Sequence, residues 1–244
     1  MELYKCKIHV STPKKYHKHY YWNLWSFTHL LGNDFYTSIV AISPLIKSWD
    51  DCFFLVTIKW EISFKKLLNY TLWEGVYIDI DSEKLHIQSV DYNFSLYKPG
   101  GQYEAYKNIE ISFLSPTIIK KEMHGIDINQ ILPVPEVFLW SCIRKYTWFY
   151  EIDTDIDAIK QEIWWSIIVG SFNMRSERVK IKNNYKAWVV WKIKYTCIKN
   201  LKPETRDILY ESLRYCHIAG IWSGTKLWLW QVKILFHKNN TWKK

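Results

Sequence analysis

Apolar and polar residues alternate along several short segments, which is the pattern of half-buried β-strands. The first segment, Leu3–Val10, sets Tyr, Cys, Ile and Val against Leu, two Lys and His. The same reasoning predicts strands at 39–45, 52–62, 76–80 and 85–96, and then at 109–114, 179–181, 188–198 and 227–236. Each half of the chain is therefore predicted to contain about four strands.

Other segments carry apolar residues at helical spacing. Leu24, Phe27 and Leu30 recur in this way over residues 20–31, and Gly32 follows where a helix C-cap is expected. Further helices are predicted at 64–72, 135–149, 155–168 and 203–215, and the last begins with Pro203, which suits a first helical turn. Strands and helices do not strictly alternate, so the pattern favours an α+β fold with antiparallel sheets over a parallel, doubly wound sheet.

A Pro99-Gly100-Gly101 cluster separates two similar successions of elements. It predicts two domains, residues 1–101 and residues 102–244. Two βαββαβ units, each the size of a ferredoxin-like domain, fit this length.

Composition narrows the class of protein. The chain is 48% hydrophobic and 23% charged, which is typical of a globular protein. The most apolar stretch, Ile163–Gly170, is too short to cross a bilayer, the N-terminus resembles no signal peptide, and five scattered cysteines indicate reduced thiols. We therefore expect a cytoplasmic protein that has no membrane span, zinc site or cofactor. The net charge of +9 favours a polyanionic partner.

Four segments in order resemble one family: ISPL at 42–45, ISFLSPT at 111–117, LPVPEVFLWSCIRKYTWF at 132–149 and CHIAGIWSGTKLWLWQVKI at 216–234. The chain is similar to the CRISPR repeat-processing endoribonucleases of the RAMP superfamily. The resemblance implies two tandem ferredoxin-like (RRM-like) domains that bind CRISPR repeat RNA. It also implies metal-independent cleavage by the 2′-hydroxyl next to the scissile phosphate, and it leaves open a non-cleaving relative that holds guide RNA.

The C-terminal segment departs from the family, whose loop is glycine-rich. Gly220 matches the first family glycine, whereas Trp222, Trp228 and Trp230 stand where the family has glycine, and Gly224 is additional. Either the indoles stack on bases, or these positions are glycines encoded by UGA, a codon that some bacteria read as glycine and others as tryptophan. The low glycine count (8) and high tryptophan count (15) favour recoding, and Trp188 and Trp191 are further candidates.

Candidate catalytic residues follow from the same resemblance. The family often has a histidine in the loop after the first helix, but residues 32–45 contain none. Tyr36 is nearest the expected place, and His29 in the preceding helix has a side chain suited to proton transfer. The alternatives are a buried tyrosine and a surface histidine at a helix C-terminus.

Basic residues near these segments are candidates for RNA contact. Lys15 and Lys18 precede the first helix, Arg144 and Lys145 lie on a predicted helix, and Lys226 lies within the C-terminal loop. The expected partners are CRISPR repeat RNA and CRISPR effector subunits, with the protein a monomer or homodimer.

Overall fold

The computed structural model describes residues 2–13, 39–43, 45–59, 61–71, 76–80, 83–91, 97, 99–101, 103–114, 119–123, 126–130, 134–181, 184–221 and 232–238. These residues group into two compact units. The first unit contains the described residues up to 97 and those of 178–187, and the second contains the others from Pro99 onward. The end of an independently folding first domain at Gly101 stays a prediction.

The first unit is built on one antiparallel sheet. Its strands are β1 (Leu3–Val10), β2 (Ile39–Ile42), β3 (Ile46–Ser48), β4 (Asp51–Lys59), β5 (Tyr77–Ile80) and β6 (Glu83–Asp91), and helix α1 (Glu61–Thr71) follows β4. The order across the sheet is β2-β4-β1-β6-β5, and β3 also pairs with β4. Strands β2, β4, β1 and β6 therefore lie in the order of a ferredoxin-like sheet. The helix predicted at residues 20–31 lies outside the described residues.

One face of this sheet forms the core of the first unit. Strand β1 contributes Cys6, Ile8 and Val10, and β4 contributes Phe54 and Val56, all of them almost fully buried. Leu67 of helix α1 belongs to the same cluster, so the helix covers this face. Side chains alternate across a strand, and the residues between these apolar positions therefore lie on the opposite face.

The second unit repeats the arrangement. Its elements are β7 (Asn108–Phe113), β8 (Ile119–Met123), β9 (Ile126–Gln130), α2 (Pro135–Tyr150), α3 (Ile156–Ser166), β10 (Ile167–Ile181), β11 (Asn184–Cys197), α4 (Pro203–Ala219) and β12 (Val232–His237). The main sheet has the order β10-β11-β7-β12, while β8 and β9 form a separate hairpin. The predicted α+β fold with two antiparallel ferredoxin-like sheets is confirmed.

Aromatic side chains fill the core of the second unit. Phe113 of β7 packs edge-to-face against Phe138 of α2 and Trp191 of β11, with ring centroids 5.3 Å apart in both pairs. Tyr215 of α4 contacts Tyr146 and Phe149 of α2. Helices α2 and α4 therefore lie against each other, and their C-terminal halves meet through these rings.

Several element boundaries differ from the predicted ones. The strand predicted at 52–62 ends at Lys59, and α1 begins at Glu61. Strand β10 starts at Ile167 rather than 179, and residues 170–176 are all exposed, so it shows no apolar alternation. The β8–β9 hairpin was not predicted. Within the described part of the chain, no helix is long and apolar enough to span a membrane.

Candidate nucleic-acid interface

Lys145 of helix α2 binds the C-terminal end of helix α4. Its Nζ donates to the carbonyl oxygens of Ala219 at 2.9 Å and Gly220 at 2.7 Å. The last carbonyls of a helix have no partner within the helix, and a lysine ammonium satisfies them while opposing the helix dipole. Burial lowers the pKa of Lys145 to about 8. The sequence placed Lys145 among the residues that face RNA, but its ammonium instead holds the end of α4.

Gly220 ends helix α4 with φ +69° and ψ 174°. A positive φ is readily adopted by glycine and strained for other residues, so the backbone conformation explains the residue at this position. Gly220 is the first glycine of the predicted RNA-binding loop. The rest of that loop, Trp222, Gly224, Lys226, Trp228 and Trp230, lies outside the described residues.

Among the other predicted site residues, only Arg144 is described. It lies on helix α2 beside Lys145, and its side chain is exposed. His29, Tyr36, Lys15 and Lys18 lie outside the described residues, so the structure does not test their roles. Arg144, Lys145 and Gly220 belong to the same unit, and the contact of Lys145 with Gly220 brings α2 to the start of the predicted loop.

A second contact fixes the start of strand β12. The backbone N–H of Ile234 donates to Nδ1 of His217 at 3.0 Å. His217 lies in the last turn of α4, so the two elements that flank residues 222–230 are joined directly. His217 therefore has a structural role at the end of α4.

The Pro-Gly-Gly segment is bound to helix α4 by a carboxylate. Oε1 of Glu211, which is 5% exposed, accepts from the backbone N–H of Gly100 at 3.1 Å and of Gly101 at 2.8 Å. The same oxygen accepts from the hydroxyl of Tyr103. Arg214 also donates to this hydroxyl. The Pro-Gly-Gly segment is therefore held against the second unit, which is consistent with its grouping from Pro99 onward.

The first unit contains a polar and aromatic cluster that the sequence analysis missed. Asp51 accepts from Lys7 at 2.9 Å through Oδ2 and contacts Nδ1 of His9 at 2.8 Å through Oδ1. The Lys7 ammonium also lies 3.9 Å from the centroid of the Phe53 ring. These residues are far apart in sequence, and only the register of β1 with β4 brings them together. The alternation of side chains along β1 placed Lys7 and His9 on one face of the strand. It predicted the strand but not the contact of these residues with Asp51.

The described residues offer no obvious metal site. They contain no group of three or more His, Cys, Asp or Glu side chains arranged to hold a metal ion. The five cysteines are free thiols. Burial raises the pKa of the Cys142 thiol well above its usual range, and a hydrogen bond with Cys216 contributes. A buried thiol with a raised pKa, such as Cys142, is a poor nucleophile at neutral pH.

Comparison with known proteins gives one consistent result. No protein-family model and no curated protein matches the chain. Solved structures do match: a Cas6 product complex has a TM-score of 0.72 at 13% identity and covers 96% of this chain and 100% of that chain. A second Cas6 product complex has a TM-score of 0.69 at 14% identity, with the same coverage.

A third matching structure is a RAMP protein rather than one described as Cas6. A RAMP protein binding different RNA substrates has a TM-score of 0.54 at 14% identity, and the alignment covers 95% of this chain and 99% of that chain. At these identities the matches establish the fold. The chain has the fold of the Cas6 and RAMP proteins over nearly its whole length.

Proposed function

We propose that this protein binds CRISPR repeat RNA and cleaves it as a metal-independent endoribonuclease, releasing guide RNA units. The observation that carries the proposal is the match of both ferredoxin-like units, over 96% of the chain, to Cas6 in complex with its product. The four sequence segments that resemble the repeat-processing endoribonucleases support the same function independently. The basic net charge of +9 suits an RNA partner.

The proposed reaction uses a nucleophile that the RNA itself supplies. The 2′-oxygen attacks the adjacent phosphorus, the bond from phosphorus to the 5′-oxygen breaks, and a 2′,3′-cyclic phosphate forms. The 2′-hydroxyl loses a proton and the leaving 5′-oxygen gains one, so the protein needs a proton acceptor and a proton donor near the phosphate. His29 and Tyr36 are our candidates for these roles. DNA lacks the 2′-hydroxyl and would not be cleaved.

The remaining candidate residues would bind the RNA. Lys15, Lys18, Arg144 and Lys226 would contact phosphates and stabilise the additional negative charge of the phosphorane. Glycines in the loop that begins at Gly220 would let backbone N–H groups approach the phosphates. Tryptophans at 222, 228 and 230 would stack on bases instead. In both cases Lys145 contributes by holding Gly220 through its carbonyl oxygen.

A second candidate function is RNA binding without cleavage. It is favoured by the absence of histidine from residues 32–45, where the family often places its catalytic histidine. In this role the protein would hold guide RNA, with CRISPR effector subunits as further partners. The cytoplasm is the compartment in which we expect either function.

One experiment separates the two candidates. Labelled repeat RNA from the host's own array is incubated with the protein in excess EDTA, beside the same RNA with a single 2′-deoxy substitution at the scissile nucleotide. Cleavage of the first RNA to a cyclic phosphate, with binding but no cleavage of the second, would establish the endoribonuclease. Tight binding of both RNAs without cleavage would favour the guide-holding role. Absence of binding would contradict both functions.

A further inference from the structure

The segment 222–230 connects helix α4 to strand β12, and contacts at the end of α4 fix both of its ends. At the start of the segment, Lys145 binds the carbonyl oxygen of Gly220 at 2.7 Å. At the other end, the backbone N–H of Ile234 donates to Nδ1 of His217, one turn before Gly220. Both ends of the segment are therefore held by the same short stretch of α4.

The contact of Ile234 uses a backbone group at the edge of the sheet. Strand β12 pairs with β7, where Ile234 lies opposite Ile111, and no other described strand pairs with β12. Along an antiparallel pair, backbone N–H groups point alternately towards the partner strand and away from it. The N–H of Ile234 reaches His217, so it points away from β7. His217 supplies the acceptor that this edge of the sheet lacks.

The direction of this hydrogen bond determines the protonation state of His217. A neutral imidazole has one nitrogen that donates and one that accepts, whereas the protonated ring donates from both nitrogens. Because Nδ1 accepts from Ile234, the ring is neutral and carries its proton on Nε2. A second proton would set two N–H groups against each other and break the contact. Histidine side chains ordinarily gain this proton as the pH falls through about 6.5.

The charged groups on the neighbouring elements leave His217 as the group that titrates in mild acid. Arg214 lies one turn earlier on α4, Lys145 of α2 binds the end of α4, Lys233 precedes Ile234 on β12, and Glu110 of β7 lies opposite Leu235. Burial lowers the pKa of Lys145 to about 8, and carboxyl groups ordinarily titrate near pH 4. The range from pH 5.5 to pH 7.0 lies between these values.

We propose that His217 is a positioning residue for RNA binding: in its neutral form it holds the β12 end of segment 222–230, and its protonation releases that end. The inference rests on the proposed RNA-binding function of this segment. A loop whose ends are fixed loses less conformational freedom when it binds, so releasing one end lowers affinity. Protonation of a histidine that contacts RNA phosphates would instead add positive charge and raise affinity. The two roles therefore predict opposite effects of acid.

The first measurement tests the contact itself, without RNA. Nitrogen-15 NMR of the full-length protein labelled at histidine distinguishes the two neutral tautomers, and the spectrum of His217→Asn identifies the signal of His217. We expect Nδ1 to carry no proton at pH 7.0. We also expect the amide of Ile234 to lose protection from hydrogen exchange at pH 5.5. A proton on Nδ1 at pH 7.0 would overturn the proposal, as would equal protection of Ile234 at both pH values.

The second measurement compares RNA binding by variants at pH 7.0 and pH 5.5. The probe is repeat RNA with a 2′-deoxy substitution at the scissile nucleotide, so that cleavage does not enter the readout. His217→Asn keeps an acceptor bonded to Cγ that is not protonated in this range, and His217→Ala removes the acceptor. His237→Asn is the matched control, because the His237 side chain lies on the same strand and is 46% exposed. Circular dichroism at both pH values checks that each protein is folded.

Between pH 7.0 and pH 5.5, we expect the wild type to lose about 5-fold in affinity relative to His217→Asn, the factor that corresponds to one hydrogen bond. His217→Ala should bind more weakly than His217→Asn at pH 7.0, and His237→Asn should follow the wild type. Parallel pH profiles of the wild type and His217→Asn would overturn the positioning role. Equal affinities of His217→Ala and His217→Asn at pH 7.0 would also overturn it.

Failure of the positioning role differs from failure of the proposed function. If the wild type binds and cuts repeat RNA but has the pH profile of His217→Asn, the function stands and the positioning role is wrong. If the wild type binds no repeat RNA at either pH, both proposals are wrong.

Discussion

Replacing Trp49 by glycine is expected to stabilise the protein. Trp49 lies in the two-residue turn between β3 and β4, where Ser48 pairs with Asp51, and its φ is +56°. Asp50, the second turn residue, is not among the described residues with positive φ. A two-residue hairpin turn with positive φ at its first position only has the pattern of type II′, and glycine is preferred there.

The expected gain can be estimated from the conformation and the exposure. A residue other than glycine pays about 1–2 kcal/mol in the left-handed region. Glycine also increases the conformational entropy of the unfolded chain, which lowers the free energy of unfolding by about 0.4–1 kcal/mol. The Trp49 side chain is 93% exposed, so almost no packing is lost with the indole. The net stabilisation is therefore about 1 kcal/mol, which corresponds to a rise of about 2–4 °C in Tm.

Two control variants isolate the backbone effect, and all variants are compared by urea unfolding. Trp49→Ala removes the indole but keeps the Cβ in the strained region, so it should be less stable than Trp49→Gly by about 1 kcal/mol. Trp164→Gly changes an exposed tryptophan inside helix α3 and should destabilise the protein by about 0.5 kcal/mol or more. If Trp49→Ala is as stable as Trp49→Gly, the reasoning from φ is refuted.

The codon for residue 49 in the gene also tests the recoding hypothesis, and this test needs no purified protein. If UGA encodes glycine in the host, codon 49 is expected to be UGA, like codons 222, 228 and 230. Trp191 gives the opposite structural signal, since its ring is buried against Phe113, although its Nε1 has no hydrogen-bond partner in the described part of the chain. A UGG codon at position 49 would show that the host tolerates tryptophan in this turn.

Further predictions follow from the second unit. Lys145→Met should change how the free energy of unfolding depends on pH, because the folded-state pKa of Lys145, about 8, lies below its unfolded value. In urea unfolding, the wild type should gain about 1 kcal/mol of stability relative to the variant between pH 7 and pH 9. Parallel pH profiles of the two proteins would contradict this. Glu211→Ala should cost about 3 kcal/mol in the same assay by leaving the N–H groups of Gly100 and Gly101 without their acceptor, and a loss below about 1 kcal/mol would show that water replaces the carboxylate. The fragment 99–244 should be more stable than the fragment 102–244 for the same reason, and equal stability would show that the Glu211 contact does not hold residues 99–101 to the second unit. Lys226→Ala should weaken binding of all RNA sequences and reduce the slope of log K against log salt by about one, and an unchanged slope would remove Lys226 from the interface.

Most of the strands and helices could be anticipated because strand alternation and helix periodicity are local signals. Strands β1 and β7 were predicted to within about one residue, since β7 alternates buried and half-buried positions along its whole length and β1 does so from Lys5 onward. Strand β10 was mostly missed, because residues 170–176 are all exposed and give no alternation. The helix start at Glu61 was missed because the apolar residues of β4 run on into Ile62 of α1 without a turn signal.

The candidate site was less predictable than the fold. Lys145 and Gly220 are 75 residues apart, and nothing in the sequence pairs a lysine of one helix with the end of another. The Asp51 cluster has the same origin, because it depends on the register of two strands rather than on any local motif. Sequence reasoning identified residues by type, whereas the contacts that give them a role are set by the tertiary fold.

The identity of residues 222, 228 and 230 determines how the loop would recognise RNA, and the two alternatives differ in salt dependence. Glycines would let the loop backbone approach the phosphates closely and bring the Lys226 ammonium to them, where displaced counterions make affinity fall steeply with salt. Indoles would stack on bases, and that contribution changes little with salt. Lys145 holds the start of the loop in both cases, because it binds the backbone carbonyl of Gly220. Proteins prepared with glycine and with tryptophan at these three positions should therefore share this anchor and differ in salt slope. If their slopes are equal, the approach of Lys226 to the phosphates does not depend on glycine at these three positions.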